Sequence, residues 1–166
     1  MKKWLSIILA LVIALSVLPL SVMAETNGDY TYEVLSEADK TCVITAYTGK
    51  TRNLTIPSYL DGYKVVELGA LSFQEAKLLK TVIIPSTVTV IRESAFFGCV
   101  DLTTVAIPSS VKVIEQCAFS ECTELVSVTI ENGETEIGYY AFEGTPWLNN
   151  QPDGCVYIGK SLCAYK

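Results

Sequence analysis

The chain has 166 residues, long enough to bury the core of one domain, and carries a net charge of −6 at pH 7. This acidic balance argues against nucleic acid and anionic membrane surfaces as partners, because no run or face of lysine and arginine is visible to offset phosphate charge. The sequence contains no histidine, which excludes Ser-His-Asp and Cys-His catalysis and removes the commonest metal ligand.

The segment 1–24 is predicted to be a secretory signal peptide. Lys2 and Lys3 form a basic start, Leu5–Leu18 is an apolar run, and small residues precede a cleavage site after Ala24. An uncleaved membrane anchor is disfavoured, since this apolar run falls short of the roughly 20 residues that span a bilayer. Cleavage leaves 10 basic and 18 acidic residues in the exported domain, a net charge of −8.

A capping hairpin is predicted soon after the signal peptide. Asp29–Leu35 and Cys42–Tyr47 alternate as strands on either side of the polar segment Glu37–Lys40. A solenoid needs such a cap, because the strand edge and the apolar face of its first coil are otherwise open to solvent. Further along, the turn dipeptide Asp61-Gly62 predicts that Tyr59–Tyr63 is a surface loop.

The segment that follows contains an apolar pattern with a constant period of twenty-three positions, the offset from Phe73 to Phe96. The recurring columns are Phe73, Phe96, Phe119 and Phe142; Leu79, Leu102, Leu125 and Leu148; Leu68, Ile91, Ile114 and Ile137; Val65, Val88 and Val111; Val82, Val105 and Val128; and Ile84, Ile107 and Ile130. Because a single coil cannot bury its own apolar face, the repeat predicts coils that are stabilised by stacking on their neighbours.

Each unit is predicted to contain one short strand and one tight turn. Val105 and Ile107 form a period-2 pair typical of a strand, and Pro108 ends it because proline cannot donate to the ladder. Phe119 and Cys122 then lie one 3₁₀ turn apart in sequence, a spacing that favours such a turn over a long α-helix. The predicted fold is an α/β-type repeat solenoid dominated by short β-strands, with a parallel sheet, short 3₁₀ or helical turns and an N-terminal capping β-hairpin.

The pattern decays towards the end of the chain. Asn149–Gly154 is predicted to be a polar loop, and Cys155–Ile158 with Ser161–Tyr165 a hairpin around Gly159-Lys160. The predicted organisation is a signal peptide at 1–24, a capping hairpin at 25–50, leucine-rich repeats at 51–148 and a C-terminal loop and hairpin at 149–166. The sequence leaves open whether the chain continues beyond Lys166.

Stacked coils place the recurring phenylalanines in one internal column. Phe119 lies in a coil that is covered on both sides, so we expect Phe119→Ala to cost on the order of 3 to 5 kcal/mol of unfolding free energy. Phe142 lies near the predicted end of the stack, so Phe142→Ala is expected to cost less.

The unit from Ile84 to Ile107, repeated from Ile107 to Ile130, reads I-P-x-x-V-x-x-I-x-x-x-A-F-x-x-C-x-x-L-x-x-V-x-I. This unit resembles the BspA-like class of bacterial leucine-rich repeats, over essentially the whole mature chain. The resemblance implies a secreted or surface-exposed protein that adheres to host proteins, other cells or extracellular polymers. The chain departs from the general leucine-rich pattern in lacking an asparagine ladder, since Thr87, Ser110 and Gly133 stand at that position.

The sequence contains six cysteines, a number that raises the question of disulfides in an exported chain. Cys99 and Cys122 fill one column in successive coils, and we interpret them as small buried thiols rather than as a disulfide or a soft-metal pair. Cys155 and Cys163 are predicted to lie nearly opposite each other across the last hairpin, where a disulfide and two free thiols are equally compatible with the sequence.

The exposed positions of the predicted strands form a candidate binding face. They are Asn53, Thr55, Thr81, Ile83, Thr104, Ala106, Ser127 and Thr129. These residues are small, uncharged and mostly hydroxyl-bearing, and they lack the Trp, Tyr and Arg anchors that dominate affinity in protein interfaces. A solvated strand face made of good β-formers is therefore the alternative interpretation.

The leading functional hypothesis is an extracellular binding module, expected to be a monomer, whose ligand is an extracellular protein or polysaccharide. The alternative is a structural spacer that presents another domain of a larger surface protein. An enzyme ranks third, because the acidic residues that carboxylate-pair hydrolysis would need lie at predicted coil corners, where solvated side chains are expected anyway. No catalytic residue, metal ligand or cofactor is predicted.

Overall fold

Short strands that end at proline or at turn residues stack into a β-solenoid of about four turns with little helix. This computed structural model describes residues 24–131, 134–158 and 161–165, with side chains described up to residue 154. The predicted signal peptide, apart from Ala24, lies outside the described residues. The repeat solenoid, its parallel sheets and the N-terminal capping hairpin that the sequence predicts are all confirmed.

The described strands are short, as expected for coils of the repeat period. They are β1 (Glu25–Asn27), β2 (Tyr30–Ser36), β3 (Thr41–Tyr47), β4 (Asn53–Thr55), β5 (Tyr59–Leu60), β6 (Tyr63–Leu68), β7 (Thr81–Ile83), β8 (Val90–Ile91), β9 (Thr104–Ile107), β10 (Val113–Ile114), β11 (Ser127–Ile130), β12 (Glu136–Ile137), β13 (Cys155–Ile158) and β14 (Ser161–Tyr165). A short helix, α1, spans Pro146–Asn149.

Two sheets run along the solenoid. One is entirely parallel, in the order β4-β7-β9-β11, and its strands pair in register so that Val82 lies beside Val105 and Val105 beside Val128. The other has the order β1-β2-β3-β6-β8-β10-β12, antiparallel through the capping strands β1 to β3 and parallel from β3 onwards. Side chains from both sheets meet in the core, where the repeated valine, leucine and isoleucine columns are buried except at Val128, Ile130 and Ile137, which are partly buried.

The segment between one coil's second strand and the next coil's first strand is a run of turns. Backbone N–H groups alternate between two acceptors: Phe73 donates to Ala95 of the next coil at 2.8 Å, while Gln74 donates to Leu71 within its own coil at 3.0 Å. The predicted 3₁₀ bonding is thus present, but it is interleaved with bonds between coils. Each coil therefore contributes to a ladder even where it has no strand.

Two positions in every run adopt left-handed backbone. The first column is Leu71, Ser94, Cys117 and Tyr140, with φ between 54° and 60°; the second is Glu75, Gly98, Glu121 and Gly144, with φ between 54° and 73°. A non-glycine residue pays about 1–2 kcal/mol for this conformation. The bonds between coils fix the backbone there and offset that cost.

The four phenylalanines of the repeat stack in one internal column. Neighbouring ring centroids are 4.8 Å apart for Phe73 and Phe96, 5.0 Å for Phe96 and Phe119, and 5.3 Å for Phe119 and Phe142. The rings are nearly parallel, with interplanar angles of 13°, 4° and 2°. Each ring is at most 2% exposed, so the column forms the centre of the core.

Two other aromatic side chains close this column. Tyr47 lies 5.3 Å from Phe73 at the N-terminal end, and Trp147 lies 5.0 Å from Phe142 at the C-terminal end, measured between ring centroids. Trp147 belongs to α1, which is held in place because the Thr145 hydroxyl caps it by accepting from the Leu148 N–H at 3.2 Å. The column is therefore covered at both ends. The smaller loss of stability expected for Phe142→Ala assumed that Phe142 lies at the end of the stack, and Trp147 covers that end.

The prediction of a surface loop at Tyr59–Tyr63 is wrong. Tyr59–Leu60 and Tyr63–Leu68 pair as an antiparallel hairpin, and Asp61 (φ 47°) with Gly62 (φ 88°) forms its two-residue turn. The reason is Leu60, which is only 3% exposed and packs into the core, so the segment is drawn onto the sheet.

The hairpin turn also anchors the N-terminal cap. Asp61 accepts from the Tyr32 hydroxyl at 2.9 Å and from the side-chain amide of Asn27 at 2.7 Å. Burial raises the pKa of Tyr32 to about 12, and the hydrogen bond to the Asp61 carboxylate adds to that rise. The capping strands and the first coil are therefore joined through the hydrogen bond that the Tyr32 hydroxyl donates to Asp61.

Phe119→Ala tests the stacked column. Both faces of Phe119 are covered by rings, so we expect the free energy of unfolding to fall by about 3–5 kcal/mol. Because Trp147 closes the stack, Phe142→Ala should fall in the same range. Guanidinium titrations of both variants check this, and small, similar losses of under ~1 kcal/mol would contradict a packed column.

Alkaline pH tests the cap. The folded-state pKa of Tyr32 is about 12 against an ordinary value of 10.0, so its contribution to stability is complete below pH 10 and is lost as the pH rises towards 12. Urea midpoints of the wild type and of Tyr32→Phe, measured between pH 8 and about 11.5, should converge as the pH rises. If the urea midpoints of the two proteins instead differed by the same amount at every pH, ionisation of the Tyr32 phenol would not be coupled to folding.

Candidate binding surfaces

The residues predicted to form a binding face lie together on one surface of the four-stranded parallel sheet. Its residues form two rows that run across β4, β7, β9 and β11. The first row is Asn53, Thr81, Thr104 and Ser127, and the second is Thr55, Ile83, Ala106 and Thr129. All are exposed except Thr81, which is partly buried. Their inward neighbours are the core residues Leu54, Val82 and Val105 and the partly buried Val128, as strand alternation requires.

This face presents hydrogen-bonding groups and one apolar centre. The Thr81 hydroxyl donates to the Asn53 side-chain oxygen at 2.8 Å, which orients both residues on the surface. Ile83 is 61% exposed, so a large apolar side chain is left in solvent next to the small Ala106. The face carries no charge and can make hydrogen bonds and limited apolar contacts.

The second sheet carries a ladder of charged side chains instead. Arg92 lies between two carboxylates: its Nη2 is 2.7 Å from Glu67 Oε2 and its Nη1 is 3.2 Å from Glu115 Oε1. The hydrogen bond to Glu67, with further help from Glu115, raises the pKa of Arg92. Gln116 donates to Glu93 at 2.7 Å one position further along. These contacts order the surface but contribute little stability, because the groups remain partly solvated.

Two recesses border these sheets. One of about 410 Å³ lies beside β10 and β12, with Glu93, Glu136 and Tyr139 in its wall; Tyr139 is 78% exposed. The other, of about 320 Å³, lies close to the N-terminal end and is lined by Lys50 and Lys77 among others. Sequence reasoning found neither, because each recess is assembled from different coils.

The cysteines of the repeat are buried thiols, as predicted. Cys99 donates to the Phe73 carbonyl at 3.1 Å and Cys122 to the Phe96 carbonyl at 3.2 Å, and neither residue forms a disulfide. The neighbouring Cys99 thiol, together with burial, raises the pKa of Cys122. Cys42 is buried as well, and burial raises its pKa to about 11. Thiols held protonated in this way are poor nucleophiles and poor metal ligands.

The last hairpin is present, but its register differs from the prediction for its cysteines. Cys155 lies opposite Tyr165, and a register shift between Val156 and Tyr157 leaves Cys163 without a directly opposite partner. The predicted turn at Gly159-Lys160 lies outside the described residues. A bulge of this kind inserts one residue into a strand, which sequence alternation cannot reveal.

In the part of the chain that the structure describes, no cluster of three or more His, Cys, Asp or Glu side chains could hold a metal ion. No helix in the described ranges has the length and apolar character that crossing a membrane requires.

The coil geometry and its repeated columns identify a known family. Residues 46–162 match the BspA-type leucine-rich repeat region in six copies. The chain belongs to the BspA-type leucine-rich repeat family. Comparison with curated proteins yields no match.

Solved structures of bacterial leucine-rich repeat proteins share this architecture. The protein from Treponema pallidum is 28% identical over 70% of this chain and 54% of its own, with a TM-score of 0.64. One from Bacteroides ovatus is 33% identical over 73% of this chain and 33% of its own, with a TM-score of 0.64. A leucine-rich cell surface protein from Faecalibacterium prausnitzii is 30% identical over 75% of this chain and 47% of its own, with a TM-score of 0.55. This chain thus spans a third to about half of their length.

Thiol accessibility tests the assignment of the buried cysteines. In a background with Cys155→Ser and Cys163→Ser, we expect Cys42, Cys99 and Cys122 to resist a thiol reagent in the native protein and to react fully in denaturant. The physical reason is burial, which excludes the reagent from the three thiols. A peptide that joins Cys99 to Cys122 in the mass spectrum of the unreduced protein would contradict this.

Proposed function

We propose that this BspA-type chain is an extracellular, cell-surface or secreted binding module rather than an enzyme, and that its ligand is an extracellular protein or polysaccharide. The observation that carries the proposal is the outer face of the β4-β7-β9-β11 sheet. Eight side chains stand there in two in-register rows on a backbone held by ladder bonds and by the core beneath it. A rigid face of this kind binds without first having to be ordered.

Two further observations support this proposal. The related protein from Faecalibacterium prausnitzii is a cell surface protein. The sheet face is composed of hydroxyls, an amide and a single exposed isoleucine, a composition that matches a hydroxyl-rich or polar ligand better than a large apolar partner. The thiols of Cys42, Cys99 and Cys122 are buried, which keeps them out of reach of a substrate in solvent.

A structural spacer is the second candidate. Coils that stack in register through one aromatic column make a stiff rod, and the three related proteins from Treponema pallidum, Bacteroides ovatus and Faecalibacterium prausnitzii are about two to three times longer than the stretch that this chain matches. A spacer needs no ligand, so substitutions on the sheet face would leave every interaction of the protein unchanged.

Charge insertion on the sheet face tests the proposed function. Ile83→Glu with Ala106→Glu places two carboxylates at the centre of the second row, and we expect affinity for the bound ligand to fall at least about tenfold, or ~1.4 kcal/mol. Binding is measured against cultured cells, matrix proteins and purified polysaccharides, with the folded state checked by circular dichroism.

The matched control is Thr89→Glu with Thr123→Glu, which adds the same charge at exposed positions away from this face. It should bind as the wild type does. Equal losses in the two double variants would indicate a general charge effect, and the absence of any binding by the wild-type protein would favour the spacer.

A further inference from the structure

The recess near the N-terminal end gathers basic side chains from two separate stretches of sequence. Lys50 and Arg52 precede β4, while Lys77 and Lys80 precede β7, and all four are exposed. The backbone joins the two stretches, because the Arg52 carbonyl accepts from the Lys80 N–H at 2.7 Å. Lys50 and Lys77 both line the recess of about 320 Å³. Arg52 and Lys80 are not part of this lining but directly follow its residues Thr51 and Leu79 in sequence, and the lining also contains the carboxylate of Glu75.

These cations are largely uncompensated. Among the ion pairs of the described residues, none involves Lys50, Arg52 or Lys80, whereas Lys77 meets Glu75 at 3.3 Å in a solvent-exposed pair. Exposed pairs of this kind contribute little and exchange readily with an incoming anion. Since charges are screened beyond about 8 Å at physiological salt, the local positive charge governs binding here in spite of the acidic balance of the whole domain.

The walls of the recess add groups that suit a sugar ring. Thr48 donates its hydroxyl hydrogen to the Asp29 carbonyl at 3.3 Å and Thr51 to the Asn53 carbonyl at 3.2 Å, so both hydroxyl oxygens are left to accept from a sugar hydroxyl. Leu78, 46% exposed, supplies an apolar edge. The volume lies at the lower end of small-molecule pockets, which fits one or two sugar rings rather than a folded protein surface. Tyr47 is part of the lining, and its ring packs against those of Tyr30 and Phe73.

We propose that this basic recess binds a negatively charged sugar residue of an acidic polysaccharide, through the carboxylate of a uronic acid or through a sulfate ester. The assignment rests on the proposed binding function and names its ligand class. Arg52 and Lys80 are followed directly by Asn53 and Thr81, which begin the first row of the sheet face. A chain held in the recess therefore continues across the hydroxyl-bearing rows.

Polymers of graded chemistry test this site. The purified protein is titrated with heparin, with dextran sulfate, with polygalacturonate and with neutral dextran. The expected result is binding of at least one charged polymer that weakens as salt is raised, and no binding of neutral dextran. Dextran sulfate binding without polygalacturonate binding assigns the site to sulfate, and the reverse assigns it to the carboxylate. Binding to none of the charged polymers overturns the proposal.

Two double variants with the same change in net charge locate the site. Lys50→Gln with Lys80→Gln removes one charge from the lining of the recess and one beside it, and Lys64→Gln with Lys112→Gln removes two charges at exposed positions elsewhere. We expect the first to lower affinity for the charged polymer at least about tenfold and the second to stay within about twofold of the wild type. Equal losses would overturn the assignment to the recess.

The two proposals fail separately. If the Ile83→Glu and Ala106→Glu variant loses binding to a neutral polymer or a protein while charged polymers do not bind, the recess assignment is wrong and the binding function stands. If the wild-type protein binds no polymer, cell or matrix protein at all, both are wrong.

Discussion

The stacking of identical residues in register is the constraint on which this structure depends. Phe96 contacts Phe73 on one side and Phe119 on the other at about one strand spacing, because the coils are held at that distance by ladder bonds. A residue inserted within a coil would displace a ring from the column and break ladder bonds, unless the chain forms a separate hairpin there, as β5 and β6 do. Apolar burial and backbone bonding therefore select the same register, and this agreement keeps the repeat period constant in the coils that have no such hairpin.

Both ends of the solenoid and the turns within it follow from that constraint. A stack of rings needs a cover at each end, which Tyr47 of the capping hairpin and Trp147 of α1 provide. The turns must return the chain to the next coil in a fixed number of residues, and two left-handed residues per coil achieve this at a cost in backbone energy. Stability in this protein is thus shared between neighbouring coils.

The sequence pattern revealed the features in which the same residue type recurs from coil to coil. It missed the features that depend on backbone conformation alone, or on residues from different coils that lie close together in the fold. The phenylalanine column was visible because the same side chain recurs, whereas Leu71 and Tyr140 share a left-handed backbone and no chemistry. The sheet face followed from strand alternation, but the basic recess did not. The β5–β6 hairpin lengthens its coil, so that Asn53 pairs with Thr81 at an offset longer than the repeat period. A search at the repeat period therefore cannot align the cations beside these two residues.

The central claim is that neighbouring coils are coupled through their stacked rings, and a double-mutant cycle measures this coupling directly. Phe96→Leu and Phe119→Leu, alone and together, should show a coupling of about 0.5–1.5 kcal/mol in the free energy of unfolding. The corresponding cycle for Phe73 and Phe142, which are separated by two intervening rings, should be additive within about 0.5 kcal/mol. Additivity in both cycles would contradict the account, because the rings would then fill space without interacting.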